Sequence, residues 1–269
     1  MDGDIALEPD GFGTEIKLSN VITGRVIKPP KLLIYGPPGV GKTTFAAGAN
    51  KPILIPTEDG LGTLDVPHFP IVTAYTGFVQ ALKALITEDH DYKTVIVDSI
   101  DSLEPYVWQE VGVRTRKPVE EYTHGREQPI IKGIWREVLQ GLELIRQRGI
   151  CIIVIGHSEV VRFEDPEHGP YDTYGLRLHK RARPLWEDWA DAILFANYKT
   201  HVAETEKGFG ATHRRALGTG ERVLHTSKMP AFQGKNRFGL PSELPLRWAA
   251  FQEAYKKGIS PKTETKTKE

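Results

Sequence analysis

Apolar residues in this chain come in short, nearly unbroken blocks rather than in alternation. "KLLIYG" (31–36), "PILIP" (52–56), "KTVIVDS" (93–99) and "ICIIVIG" (150–156) are the clearest. Runs of this length between turn signals read as strands buried on both faces. "DAILFAN" (191–197) and segments 69–74, 222–228 and 245–251 add further strand signals. Between the blocks the apolar spacing becomes helical. Phe78, Val79, Leu82, Leu85 and Ile86 mark a helix over 78–87, and 130–148 predicts a long amphipathic helix ended by Gly149. A shorter helix is predicted over 42–49. "EDWAD" (187–191), with Trp186, reads as a helix approaching a strand.

Strands alternating with helices predict an α/β fold, a mostly parallel sheet flanked by helices. The chain divides into an irregular N-terminal arm (1–29) with a short strand near 16–26, one domain (30–252), and a tail (253–269). The tail ends in the polar "GISPKTETKTKE" and is predicted to be disordered.

Composition narrows the class. Among 269 residues, Lys+Arg and Asp+Glu are equal at 35 each, so overall charge implies no polyanionic partner. Local charge is uneven: "RLHKRAR" (177–183) is basic and lacks an acid, and 214–237 is mostly basic. The single cysteine, Cys151, excludes a disulfide framework and thiolate metal sites. It lies within an apolar run and reads as core. "MDGDIALEPD" has no apolar signal region, and no run approaches the ~20 apolar residues of a spanning helix. A cytoplasmic protein without a membrane partner is expected.

The strongest chemical signal is Gly36-Pro37-Pro38-Gly39-Val40-Gly41-Lys42-Thr43, followed by Thr44. It matches G-x-x-x-x-G-K-[ST] at every fixed position, after a predicted strand and before a predicted helix. Glycines let the backbone curl so that successive N–H groups face phosphate oxygens, and the helix start adds partial positive charge. Lys42 is expected on the outer phosphates of ATP and the Thr43 hydroxyl on Mg2+. "TVIVDS" ends a strand on Asp98, where a carboxylate can hold Mg2+ through water; the alternative is an aspartate that caps the next turn. "ILIPTEDG" places Glu58 past another strand at the same edge, as a candidate base for the attacking water; the alternative is an acidic surface loop. His157 follows the most apolar strand and is a candidate γ-phosphate sensor, or a satisfied strand-end histidine. The nine histidines form no ligand-spaced cluster.

With these residues in hand, the chain resembles the RecA-like branch of the P-loop ATPases, and more closely the phage nucleotide-binding, single-strand-annealing recombinases. "GPPGVGKTT", "IVDSIDSL", "VIGHS" and "KNRFGLP" carry the likeness, which covers about residues 30–250. AAA+ proteins usually have a glutamate after the Walker B aspartate; here Ser99 stands there. The resemblance implies a DNA-stimulated ATPase acting in phage recombination, annealing or repair. It implies single-stranded DNA as partner and a homo-oligomer, ring or filament, with ATP at subunit boundaries. A single-strand DNA-binding protein is a further implied partner. Two DNA loops are implied at 111–128 and 159–178. They bring Arg114, Arg116, Lys117 and Arg126, and then Arg162, Phe163, Tyr174 and Arg177. Lys235 and Arg237 resemble the Lys-x-Arg pair by which DnaB-type helicases reach a neighbour's γ-phosphate. The other readings are a ring helicase or motor, and a nucleotide-binding regulatory or assembly module with little hydrolysis.

Overall fold

The computed structural model describes residues 17–24, 26–118, 127–207 and 211–260; of 128 and 200–219 the backbone alone is considered. The phosphate-loop motif joins β1 (Lys31–Gly36) to α1 (Lys42–Ala47). Next come β2 (Pro52–Pro56), α2 (Tyr75–Thr87) and β3 (Thr94–Asp98). Helices α3 (Ile100–Thr115) and α4 (Gln128–Gln147) precede the hairpin of β4 (Cys151–Phe163) and β5 (Tyr171–Leu176). After α5 (Arg183–Trp189) come β6 (Ala192–Lys207) and β7 (Ala211–His225). Two short strands, β8 (Lys235–Asn236) and β9 (Glu243–Pro245), lead to α6 (Trp248–Ile259).

The sheet order is β2-β3-β4-β1-β6-β7-β9, with β5 on β4 and β8 on β6. β2, β3, β4, β1 and β6 are parallel; β7 and β9 continue antiparallel. The mostly parallel α/β expectation therefore holds. Alternate strand residues serve opposite faces. Leu33, Tyr35, Val95 and Val97 join a core with α2, α3, α4 and α5, whereas Leu32, Ile34 and Ile96 join one with α1 and α6. Burial on both faces is why the strands read as unbroken apolar blocks.

Four expectations change. Segment 69–74 is not a strand. It lies along the outer edge of β2, with Phe69 N–H on Leu54 O at 2.9 Å and Val72 N–H on Pro56 O at 2.8 Å, and so covers that edge. Segment 245–251 is mostly helix. Trp248, Phe251 and Tyr255 stand at i, i+3 and i+7 of α6 and pack toward Phe45 and Phe238. The predicted tail therefore begins in a helix, and 261–269 lie outside the described residues. The arm near 16–26 shows a short 3-10 turn at Leu18–Asn20 instead of a strand. The two implied loops are in part regular elements, with 119–126 of the first outside the described residues. Residues 111–115 complete α3, and 159–163 with 171–176 form the β4–β5 hairpin, Val160 opposite Tyr174 and Phe163 opposite Tyr171.

Lys235 and Arg237 lie away from the subunit's own nucleotide edge. β8 pairs with the start of β6, Asn236 opposite Ala192, and Arg237 N–H donates to Asp191 O. Asp191 is level with Lys31, five residues before Gly36, which places Arg237 about 16 Å from the phosphate loop at ~3.3 Å per residue. Within the subunit the pair does not reach the nucleotide edge. Lys235 Nζ instead donates to the carbonyls of Glu187 and Asp188, 2.8 and 2.9 Å, at the end of α5. Arg237 Nη1 meets Asp191 Oδ1 at 3.3 Å with most of its side chain in solvent. Arg237→Ala is expected to cost less than about 1 kcal/mol in urea unfolding and to leave nucleotide turnover unchanged. A fall of about 10³ in turnover would restore the trans role.

Candidate nucleotide site

The parallel strands β1, β2 and β3 end at one edge, where β4 leaves its pairing with β1, and residues at or just past these points make the site. The loop after β1 needs glycine for two different reasons. Gly39 and Gly41 have φ of 73° and 105°, which side chains rarely tolerate. Gly36 has ordinary φ, but a Cβ there would lie 2.1 Å from Ala196 O of β6. Val40 is fully buried and pins the loop into the second core, whereas Pro38, Gly39 and Thr44 are exposed. Lys42 is 5% exposed, and its ammonium donates to Gly36 O (3.0 Å) and Pro37 O (2.9 Å). Burial lowers its pKa, and nearby Asp98 opposes that.

Thr43 Oγ1 donates to Asp98 Oδ2 at 2.7 Å, and Asp98 is 8% exposed. A hydroxyl and a carboxylate in contact, beside a phosphate-binding loop, fit Mg2+. That ion takes few protein oxygens and fills its octahedron with water and phosphate. Among the described residues no cluster of three or more His, Cys, Asp or Glu offers a competing metal cage. Cys151 packs against the second core, and burial pushes its thiol up to about 12, so it is no nucleophile.

The sequence reading missed the element that organises the rest. β3 passes through Ser99, the N-cap of α3, and the first turn of that helix carries Asp101 and Ser102. Ser99 Oγ lies 3.2 Å from Glu58 Oε2, and Ser102 Oγ donates to the same oxygen. Asp101, with its side chain 4% exposed, accepts from His157 N–H (3.0 Å) and faces His157 Nδ1 (3.0 Å). It also accepts from Arg177 Nε at 2.9 Å. Burial alone would raise Asp101, but the His157 and Arg177 hydrogen bonds hold it well below the usual carboxylate range. An anion on Nδ1 keeps the proton there and leaves Nε2 directed at Glu58 Oε1, 3.9 Å away. One helical turn thus brings Glu58 and His157 together. The "DSIDS" pattern, a serine followed at the third position by another, was the available helix-start signal.

The DNA candidates fare unevenly. Arg114 makes two 2.7 Å bonds to Glu137 and lies over Tyr75, so it locks α3 onto α2 and α4. Tyr174 stacks on Phe195 at 5.2 Å, and Arg177 is held by Asp101. These three already have partners within the folded subunit. Arg116 and Lys117 are exposed at the end of α3. Arg162 and Phe163 stand at the hairpin's outer end, Arg162 with its side chain 61% exposed. Arg126 lies outside the described residues, as do Tyr122 and His124.

A model of the AAA domain family matches residues 28–238. The chain belongs to the AAA domain family. At the site Ser99, rather than an acid, follows Asp98, and a second carboxylate comes from Glu58, two residues past β2. The chain is also similar, at 27% identity over 141 residues, to the SPbeta prophage-derived uncharacterized protein YorG of Bacillus subtilis (strain 168). That match covers 47% of this chain and 40% of the relative, so the chain spans well under two thirds of it. Two solved structures overlap the chain. Flagellar accessory protein FlaH from Methanocaldococcus jannaschii does so at 11% identity and TM-score 0.39, over 80% of this chain and 85% of that one. KaiC-like protein PH0186 from Pyrococcus horikoshii OT3 does so at 14% identity and TM-score 0.39, over 81% and 85%. At that score neither likeness carries a functional argument. No helix among the described residues of this AAA domain is long and apolar enough to cross a membrane.

Burial raises the Asp98 carboxyl above its ordinary value, with Glu58 adding to the effect and the Thr43 hydrogen bond opposing it. A carboxyl whose pKa is raised by folding holds its proton more tightly when folded. Its ionisation therefore costs stability as pH rises past the unfolded value of about 3.9 and through the folded one. Asp98→Asn is expected to melt above wild type in EDTA at pH 7, with the gap narrowing toward pH 4. A lower melting temperature at pH 7 would contradict this reading of the site.

Proposed function

We propose that this RecA-like protein binds Mg2+-ATP in the loop 36–43 and hydrolyses it. The observation that carries this is the convergence of Glu58 and His157 on the first turn of α3, beside Asp98. Lys42 meets the outer phosphates, and Thr43 and Asp98 hold the metal, which neutralises charge between phosphates when bound. Glu58 Oε2 is fixed by Ser99 and Ser102, so the carboxylate is aimed before substrate arrives and takes a proton from the attacking water. His157 Nε2 faces the same space and senses the terminal phosphate. Its Nδ1 side is tied through Asp101 to Arg177, and Arg177 N–H also donates to His157 O at 2.8 Å. Movement of His157 is thereby passed to both strands of the β4–β5 hairpin.

That hairpin is the partner surface in this reading. A groove of about 920 Å3 beside it is lined by Arg162, Arg177, Lys180 and Arg183, and Phe163 stands at the hairpin's outer end with Lys228 over its ring. Cations with an exposed aromatic ring suit single-stranded DNA without sequence preference. The prophage-derived relative supports a phage-related setting for the protein. One observation favours a second reading, a nucleotide-controlled assembly module. Arg177 and Arg183 are already paired, with Asp101 and Glu159, so the groove is less basic than its cation count.

Phosphate release with and without oligo(dT) at low salt separates these readings. Wild type is expected to turn over ATP faster with DNA, and Glu58→Gln to lose about 10²–10⁴ in kcat while still binding ATP. A wild type no faster than Glu58→Gln would refute hydrolysis. Hydrolysis with no DNA retention would refute the DNA reading.

A further inference from the structure

A nucleoside triphosphate has direction, with charge at one end and a flat aromatic base at the other. Asp98 ends β3, Glu58 follows β2, and His157 lies on β4 where its pairing with β1 ends, all on one side of β1. With the terminal phosphate there, the base must leave on the opposite side of the loop, over β6 and β7. Two long side chains occupy that side. Tyr198 of β6 and Arg222 of β7 are direct cross-strand partners. Tyr198 Oη donates to Gly39 O at 3.3 Å, and Arg222 Nη1 donates to Val40 O at 3.4 Å. Both side chains therefore meet the loop at neighbouring carbonyls, those of Gly39 and Val40. Arg222 also closes over Gly41, where a Cβ would meet its Nη1 at 2.7 Å. The Tyr198 residue is 41% exposed, so part of its surface stays open to a ligand.

We infer that Tyr198 and Arg222 form the nucleobase side of the site. This rests on the nucleotide reading above and extends it to the base. A phenol ring and a planar guanidinium both stack on aromatic faces. Stacking is tolerant of base identity, so ATP and GTP bind within about tenfold of each other.

The probes are Mg2+-ATP and inorganic tripolyphosphate, titrated calorimetrically into the full chain. Wild type is expected to bind ATP more tightly than tripolyphosphate. Tyr198→Ala and Arg222→Ala are each expected to weaken ATP by about tenfold and to hold tripolyphosphate within twofold, which also shows that the loop is folded. Tyr198→Phe keeps the ring and loses the Gly39 contact, and is expected to regain most of the ATP affinity. Equal losses for ATP and tripolyphosphate would overturn the inference, because they mean the two side chains only brace the loop. So would a wild type that binds both ligands equally. A wild type that binds neither would overturn the nucleotide site itself, a distinct result.

Discussion

The first turn of α3 is the constraint on which the site depends. Three consecutive strand ends, β2, β3 and β4, could each point their polar residues anywhere at the sheet edge. Ser99, Asp101 and Ser102 remove that freedom, because one turn bonds Glu58 on one side and His157 with Arg177 on the other. The turn is itself rigid. Ile100 and Leu103 beside it are fully buried in the first core, and Ser99 caps its backbone. Positioning therefore comes from packing beneath the helix rather than from the site, which would preorganise Glu58 and His157 for the proposed chemistry.

That corner carries a cost in stability that function explains. Asp98 and Lys42 are both nearly buried, and each is pushed by burial toward its neutral form. In the proposed function a metal and a triphosphate would supply the charges each lacks. Folding without ligand leaves them underpaired, a pattern expected where a site is shaped for what it binds.

The phosphate loop was legible in the sequence because it is a demand on the backbone. Gly39 and Gly41 must adopt positive φ, and the lysine must follow at a set distance, so the pattern survives in one dimension. The strands were legible for the same kind of reason: burial on both faces leaves unbroken apolar blocks. Helix α3 was not, because Pro105 interrupts its register and its buried positions, Leu103, Val107 and Val111, are diluted by acids. The hairpin read as a loop because its apolar residues are few and partly exposed, as Val160 is at 62%. Residues 245–251 read as a strand because an apolar run of that length fits either period. Lys235 and Arg237 show the limit most plainly. Their chemistry was visible, but the antiparallel pairing of β8 with the start of β6, which takes them away from the phosphate edge, was not.

The preorganised carboxylate is tested most directly by the Ser99→Ala, Ser102→Ala double variant. Its kcat and its ATP dissociation constant are to be measured separately. If the two hydroxyls aim Glu58, kcat falls by about tenfold or more while ATP binding stays within twofold. An unchanged kcat would contradict the claim that the first turn of α3 sets the reacting geometry.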